Sequence, residues 1–158
     1  MKSSIRIGLS FGLTSGIITT LGLMVGLAAG TSSKIVVIGG IITIAVADAL
    51  SDALGIHLSQ ESETLKTHKQ VWESTFATFV SKFVFALTFL IPVIFLDLFF
   101  AIIVSIIWGF FLLGLLSHII ARRELKLPGK VVFEHWTIAI IVILATFFVG
   151  RLISGLIA

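Results

Sequence analysis

The chain alternates long apolar runs with short polar ones, and five of the apolar runs are long enough to cross a bilayer. A helix needs about 20 residues to cross the hydrocarbon core. The third and fourth runs form one continuous apolar stretch that is interrupted only by Pro92 and Asp97. These two residues predict a tight turn near Leu96 and Asp97. The sequence therefore predicts an all-α, polytopic membrane protein with one transmembrane domain over residues 1–158. The predicted spans are 5–29, 35–58, 74–95, 98–120 and 132–157.

Composition excludes a soluble domain. Hydrophobic residues make up 58% of the chain and charged residues 12%, with a mean hydropathy of +1.19, whereas a soluble domain has about 25% charged residues. A soluble fold of this size has no interior large enough to hide so much apolar surface, so the solvent must be a lipid bilayer. The sequence shows no nucleophile–base arrangement, phosphate loop or nucleotide motif, so we expect neither an enzyme nor an organic cofactor.

The basic residues predict the orientation of the chain. Eight lysines and arginines fall on one side of the five spans and two on the other, with Lys82 inside span three. The positive-inside rule then places the N-terminus in the cytoplasm and the C-terminus outside, with a short cytoplasmic segment at 59–73. This placement also explains the net charge of +3 without a nucleic-acid partner. We expect an integral multi-pass protein of the cell membrane.

Two aspartates, Asp48 and Asp52, lie inside span two. A charged side chain at membrane depth costs about 3 kcal/mol, and residues four apart share one helical face. The pair must be compensated by a cation, a proton, a basic partner or a water-filled path. In a two-fold dimer with span two near the axis, four carboxylates would converge and suit a hard divalent cation.

Lys82 offers a different explanation of the same aspartates. From the start of span three it lies about 12 Å deep, between the depths expected for Asp48 and Asp52. Its ammonium could neutralise one carboxylate permanently, as a structural counter-ion.

The first span carries glycines at steps of four residues. Small residues at this step let another helix approach closely. The groove could pack against span two of the same chain, or it could form a homodimer seam or a flexible pathway helix. The two series are Gly8, Gly12 and Gly16, then Gly22, Gly26 and Gly30.

The cytoplasmic end of span two carries His57, Glu61 and Glu63. These residues could form a cytoplasmic entrance for a metal ion or proton. The alternative is a polar cap on a solvated helix, in which Glu63 pairs with Lys66 at helical spacing.

Span one reads Ser-Gly-Ile-Ile-Thr-Thr at 15–20, and span two reads Ala-Asp-Ala-Leu-Ser at 47–51. Together with the five spans, this order resembles the vacuolar iron transporter family over nearly the whole chain. The resemblance implies a five-span homodimer with a path lined by spans one and two at the dimer interface. It also implies export of ferrous or manganous ion from the cytosol, driven by proton antiport, and a vacuolar-type membrane if the protein is eukaryotic.

The resemblance identifies candidate pathway residues, and it also shows several positions at which this chain differs from the family pattern. Ser15 stands where the family has aspartate, and Asp52 stands where it has methionine. The family's glutamate and tyrosine positions are Ile56 and His57 here. Loss of the methionine removes a soft ligand and shifts the preference away from softer metals. The candidate metal or proton pathway comprises Asp48, Asp52, Ser51, Ser15 and Thr19.

We therefore expect a transporter whose substrate is a divalent metal ion, Mn²⁺ or Fe²⁺. The alternative from another class is a non-transporting membrane scaffold or interaction protein that keeps the family frame without its metal ligands.

The predicted orientation can be tested by cysteine labelling, because the chain has no cysteine of its own. Single cysteines at Thr67 and Lys126 should react with an impermeant reagent only from the cytoplasmic side. A cysteine at Ser33 should react only from the outside. Labelling of Ser33 and Thr67 from the same side would contradict the five-span topology.

Overall fold

The computed structural model describes residues 2–123 and 125–157, and all the regular structure in these residues is helical. Five helical spans are long and apolar enough to cross a membrane, which confirms the predicted all-α, five-span fold. The helices are α1 Ser3–Thr31, α2 Lys34–Glu61, α3 His68–Thr88, α4 Leu90–Phe95, α5 Leu98–Arg123 and α6 Pro128–Ile157.

The third span is interrupted, since α3 and α4 together form its length from His68 to Phe95. Pro92 has no N–H to donate to the carbonyl of Thr88, and its ring crowds that carbonyl, so the α-helix cannot run through this turn unbroken. The chain then turns at Leu96, which is extended with φ −114° and ψ 160°. The turn predicted near Leu96 and Asp97 is therefore confirmed.

Helix α1 forms the centre of the bundle and packs against α2, α3, α5 and α6. Its side chains Ile17, Leu21 and Met24 are buried, and the core continues to Phe89 and Val93 in the third span. The other spans leave large hydrophobic side chains exposed. These outer faces suit contact with lipid, because lipid tails are as apolar as the side chains they meet.

The glycines of α1 contact other helices of the same chain. Their neighbours are α3 and α6, whereas the sequence suggested span two, which is α2. The first series faces α3, where a Cβ on Gly12 would lie 2.5 Å from the carbonyl oxygen of Thr78. The second series faces α6, where a Cβ on Gly26 would lie 3.2 Å from the carbonyl oxygen of Thr146. The expectations of packing against span two and of a dimer seam on this face of span one are therefore wrong. The glycines are needed because α3 and α6 approach the backbone of α1 closely.

Helix α2 carries two stripes of small residues on opposite sides. Its inner face buries residues at steps of four, including Ala45, Ala49 and Ala53. Its outer face exposes a second series with the same step, and a Cβ added at Gly39 or Gly55 would meet nothing within 4 Å. Helix α2 therefore carries an open surface of small residues along its length. This outer stripe comprises Gly39, Thr43, Ala47, Ser51, Gly55 and Ser59.

These two glycine environments predict opposite results for the same substitution. Gly12→Leu should lower the unfolding temperature markedly, because the new side chain overlaps the backbone of α3, and overpacking alone costs about 1–3 kcal/mol. Gly39→Leu should leave the fold of the single chain intact, since its surroundings are open. Thermal unfolding of both variants in detergent measures the difference, and equal losses would contradict the described packing.

Candidate functional site

Three helices bring four polar side chains together inside the apolar bundle. Lys82 of α3 lies with its Nζ 2.5 Å from Oδ2 of Asp48, and it also contacts Oδ2 of Asp52. The same ammonium donates to Oγ of Ser15 at 2.8 Å, and this hydroxyl donates to Asp52 Oδ2 at 2.6 Å. One basic group therefore bridges two carboxylates and a hydroxyl.

Local sequence explains why these groups meet. Asp48 and Asp52 are one helical turn apart, so both point from the same side of α2. On α1, Gly16 follows Ser15, and a Cβ there would lie 3.2 Å from Cγ of Lys82. The missing side chain lets Lys82 lie close across α1 and reach the carboxylates.

The four groups are not equally buried. The side chain of Lys82 is 1% exposed, whereas those of Asp48 and Asp52 are 29% and 20% exposed. Each aspartate sits between a buried alanine of the inner stripe and a residue of the exposed outer stripe. The ammonium is therefore enclosed, while the carboxylates lie at the border between the bundle interior and the outer face of α2.

Asp48 makes an incomplete contact. Its Oδ2 is buried and close to Lys82, yet it forms no bond with hydrogen-bond geometry in the described part of the chain. A buried carboxylate oxygen normally accepts directed hydrogen bonds. Asp48 thus keeps acceptor capacity that Lys82 does not use.

Two other candidate pathway residues lie outside this cluster. Ser51 is exposed on the outer stripe of α2. Thr19 donates its hydroxyl to the backbone oxygen of Ser15 at 2.9 Å, within its own helix. Ser15 is therefore the hydroxyl residue that the structure joins to the aspartates.

At the end of α2, His57 and Glu61 lie near each other. His57 Nε2 is 4.0 Å from Glu61 Oε2, and its Nδ1 is 3.0 Å from Oγ1 of Thr75. The imidazole also packs edge-on against Trp72, with ring centroids 4.8 Å apart. The histidine thus ties the end of α2 to the start of α3.

Glu63 points elsewhere. It accepts from Gln60 Nε2 at 3.0 Å and pairs with Lys66 at 3.7 Å. The expected pair is therefore present, but the expected helix is not, because residues 62–67 form the turn between α2 and α3. Within residues 2–123 and 125–157, no three His, Cys, Asp or Glu side chains are grouped closely enough to hold a metal ion. The candidate entrance therefore does not form a complete ligand set within one chain.

Sequence reasoning missed a second polar contact at the same end of the bundle. Lys2 Nζ lies 2.5 Å from Oε1 of Glu73, and Ser4 donates its hydroxyl to Oε2 of Glu73 at 2.7 Å. The start of α1 is thereby fastened to α3. The sequence contained one indication of this pair, because the predicted topology places Lys2 and Glu73 on the same side of the membrane.

Comparison with known families gives one match. The model of the VIT family matches residues 9–71, which include most of α1, all of α2 and the start of α3. The matched stretch contains Ser15, Asp48 and Asp52, and it ends before Lys82. Comparisons with curated proteins and with solved structures give no match.

The VIT family is a transporter family, and the match suggests membrane metal-ion transport in general. The five apolar helical spans agree with an integral multi-pass membrane protein. Residues 9–71, about two fifths of the chain, are therefore similar to the VIT family.

Proposed function

We propose that the protein transports a divalent metal cation, Mn²⁺ or Fe²⁺, from the cytosol to the outside in exchange for protons. The observation that carries this proposal is the pair of partly open carboxylates, Asp48 and Asp52, in the middle of an apolar span. Ionisable residues within a membrane span are costly, and they commonly mark ion pathways. The similarity to the VIT family supports the same class of function.

We infer that the path lies between two copies of the chain, lined by α1 and α2. The outer stripe of α2 is exposed along the helix, and small residues at steps of four allow close helix contact in a membrane. The two aspartates border this stripe, so a two-fold contact through α2 would place four carboxylates near one axis. This arrangement would supply the ligands that one described chain lacks.

In this proposal Lys82 acts as a tethered cation. Its ammonium neutralises the carboxylates from the bundle interior, so a metal ion that binds from the outer face of α2 must compete with it for their charge. In the proposed exchange, the carboxylates bind a metal ion facing one side of the membrane and a proton facing the other. The site could then remain neutralised between transport events without a metal ion.

The atoms that could bind the metal ion indicate which ion is expected. Asp48, Asp52 and Ser15 all offer oxygen, and oxygen ligands favour hard divalent cations such as Mn²⁺ over softer ions. His57 and Glu61, which lie 4.0 Å apart near the end of α2, are the proposed cytoplasmic entrance. Glu63 would contribute there only after leaving Lys66.

A second candidate function is a non-transporting membrane scaffold or interaction protein. The contact of Lys82 with both aspartates favours it, because a permanent ion pair would explain the carboxylates without any substrate. The absence of a three-residue ligand group in the described part of the chain also favours it. The two functions differ in whether the aspartates respond to metal ions.

The metal site is tested by thermal unfolding with Mn²⁺, Fe²⁺, Co²⁺ or Mg²⁺ added. A ligand that binds the folded state raises its stability, so Mn²⁺ should raise the unfolding temperature of the unmodified protein. Asp48→Asn or Asp52→Asn should abolish this rise, since asparagine keeps the shape and removes the charge. Asp97→Asn, at the turn after α4, is the matched control and should keep it. No response to any metal ion in the unmodified protein would contradict transport through this site.

Lys82→Met separates the two candidate functions. In the transporter, it should leave metal binding intact or strengthen it, because a competing positive charge has been removed. In the scaffold, it should destabilise the fold by about 3–5 kcal/mol, the usual cost of orphaning a buried charge. Adding Asp52→Asn should then recover much of that loss. Recovery in the double variant, with no metal response in the unmodified protein, would support the scaffold.

A further inference from the structure

A cavity of about 310 Å³ opens between the start of α1 and the end of α5. Arg6, in the second turn of α1, and Arg123, the last residue of α5, both line it. Apart from Ser10, the rest of its wall is aliphatic. Two arginines thus line the end of an otherwise apolar cavity where α1 begins and α5 ends, and this end is called its mouth.

These two charges are not compensated within residues 2–123 and 125–157. Neither the Arg6 nor the Arg123 side chain has an ion-pair or hydrogen-bond partner there. Other basic residues at this end do: Lys2 pairs with Glu73, and Arg122 Nε donates to His118 Nε2 at 3.0 Å. The mouth of the cavity is therefore complementary to an anion, and arginine is well suited to phosphate.

A second cavity of about 150 Å³ adjoins the first and shares Leu13, Leu116 and Ile119 with it. Its remaining lining residues are also apolar, and they include Ile17 of α1 and Phe85 of α3. The two cavities together present a charged mouth and an apolar recess that leads toward the centre of the bundle. This arrangement matches an amphiphile that has an anionic head group and an apolar tail.

We propose that this site binds one anionic phospholipid, with its phosphate between Arg6 and Arg123 and one acyl chain in the apolar recess. A free anion would leave the recess unfilled, and a zwitterionic lipid would bring its own cation close to the two guanidinium groups. Basic pockets between transmembrane helices at the membrane boundary are suited to anionic head groups. The site lies on the α5 side of α1, so it does not depend on the proposed transport of metal ions.

The proposal is tested with purified protein in detergent, by adding phosphatidylglycerol or phosphatidylcholine. Native mass spectrometry should show one phosphatidylglycerol retained per chain, and thermal unfolding should show a larger rise with phosphatidylglycerol. Arg6→Gln and Arg123→Gln should each weaken phosphatidylglycerol binding about fivefold, and together about 30-fold. Both side chains are exposed, so the variants should fold.

A matched control removes the same charge at the same end of the bundle. Lys69→Gln with Arg122→Gln should retain the preference for phosphatidylglycerol, because neither residue lines this cavity. Leu116→Trp, which fills the recess and keeps both arginines, should also lose retained lipid.

Three results would overturn the proposal. An equal loss in the Lys69→Gln/Arg122→Gln control would indicate general surface charge. Equal protection by inorganic phosphate would indicate a site for a soluble anion. An unchanged preference in the Arg6→Gln/Arg123→Gln variant would show that these arginines do not select the lipid.

Discussion

The structure depends on the burial of one ammonium group, that of Lys82, among three helices of an apolar bundle. Such a group is tolerated only when opposite charge and hydrogen-bond acceptors surround it. Asp48 and Asp52 supply the charge, and Ser15 supplies a further acceptor. This requirement constrains the register of α2 and α3 against α1.

Helix α2 links this interior cluster to the surface of the bundle. Its inner stripe of small residues packs inside the chain, and its outer stripe is exposed with the same step of four. The aspartates lie at the border between the stripes, where they contact Lys82 and remain partly open. The same carboxylates can therefore pair with Lys82 in the bundle interior and bind an ion at the outer face of α2. The proposed transport depends on both contacts.

The sequence predicted the five spans and the turn near Asp97 because both follow from local hydropathy and proline chemistry. It also indicated that Lys82 could reach Asp48 or Asp52, since depth along a helix can be estimated from residue counts. It did not predict which helices the glycines of α1 would contact. A step of four identifies a helical face but not its neighbour, and α3 and α6 occupy faces that were expected to meet α2 or a second copy.

Ion flux in proteoliposomes is the most direct test of the central claim, that the carboxylates of α2 move a cation. With Mn²⁺ on one side and a pH-sensitive dye enclosed, the unmodified protein should carry Mn²⁺ across while protons move in the opposite direction, and Asp52→Asn should stop both movements. Folded, membrane-inserted protein that carries no Mn²⁺ and no Fe²⁺ under a proton gradient would contradict the claim.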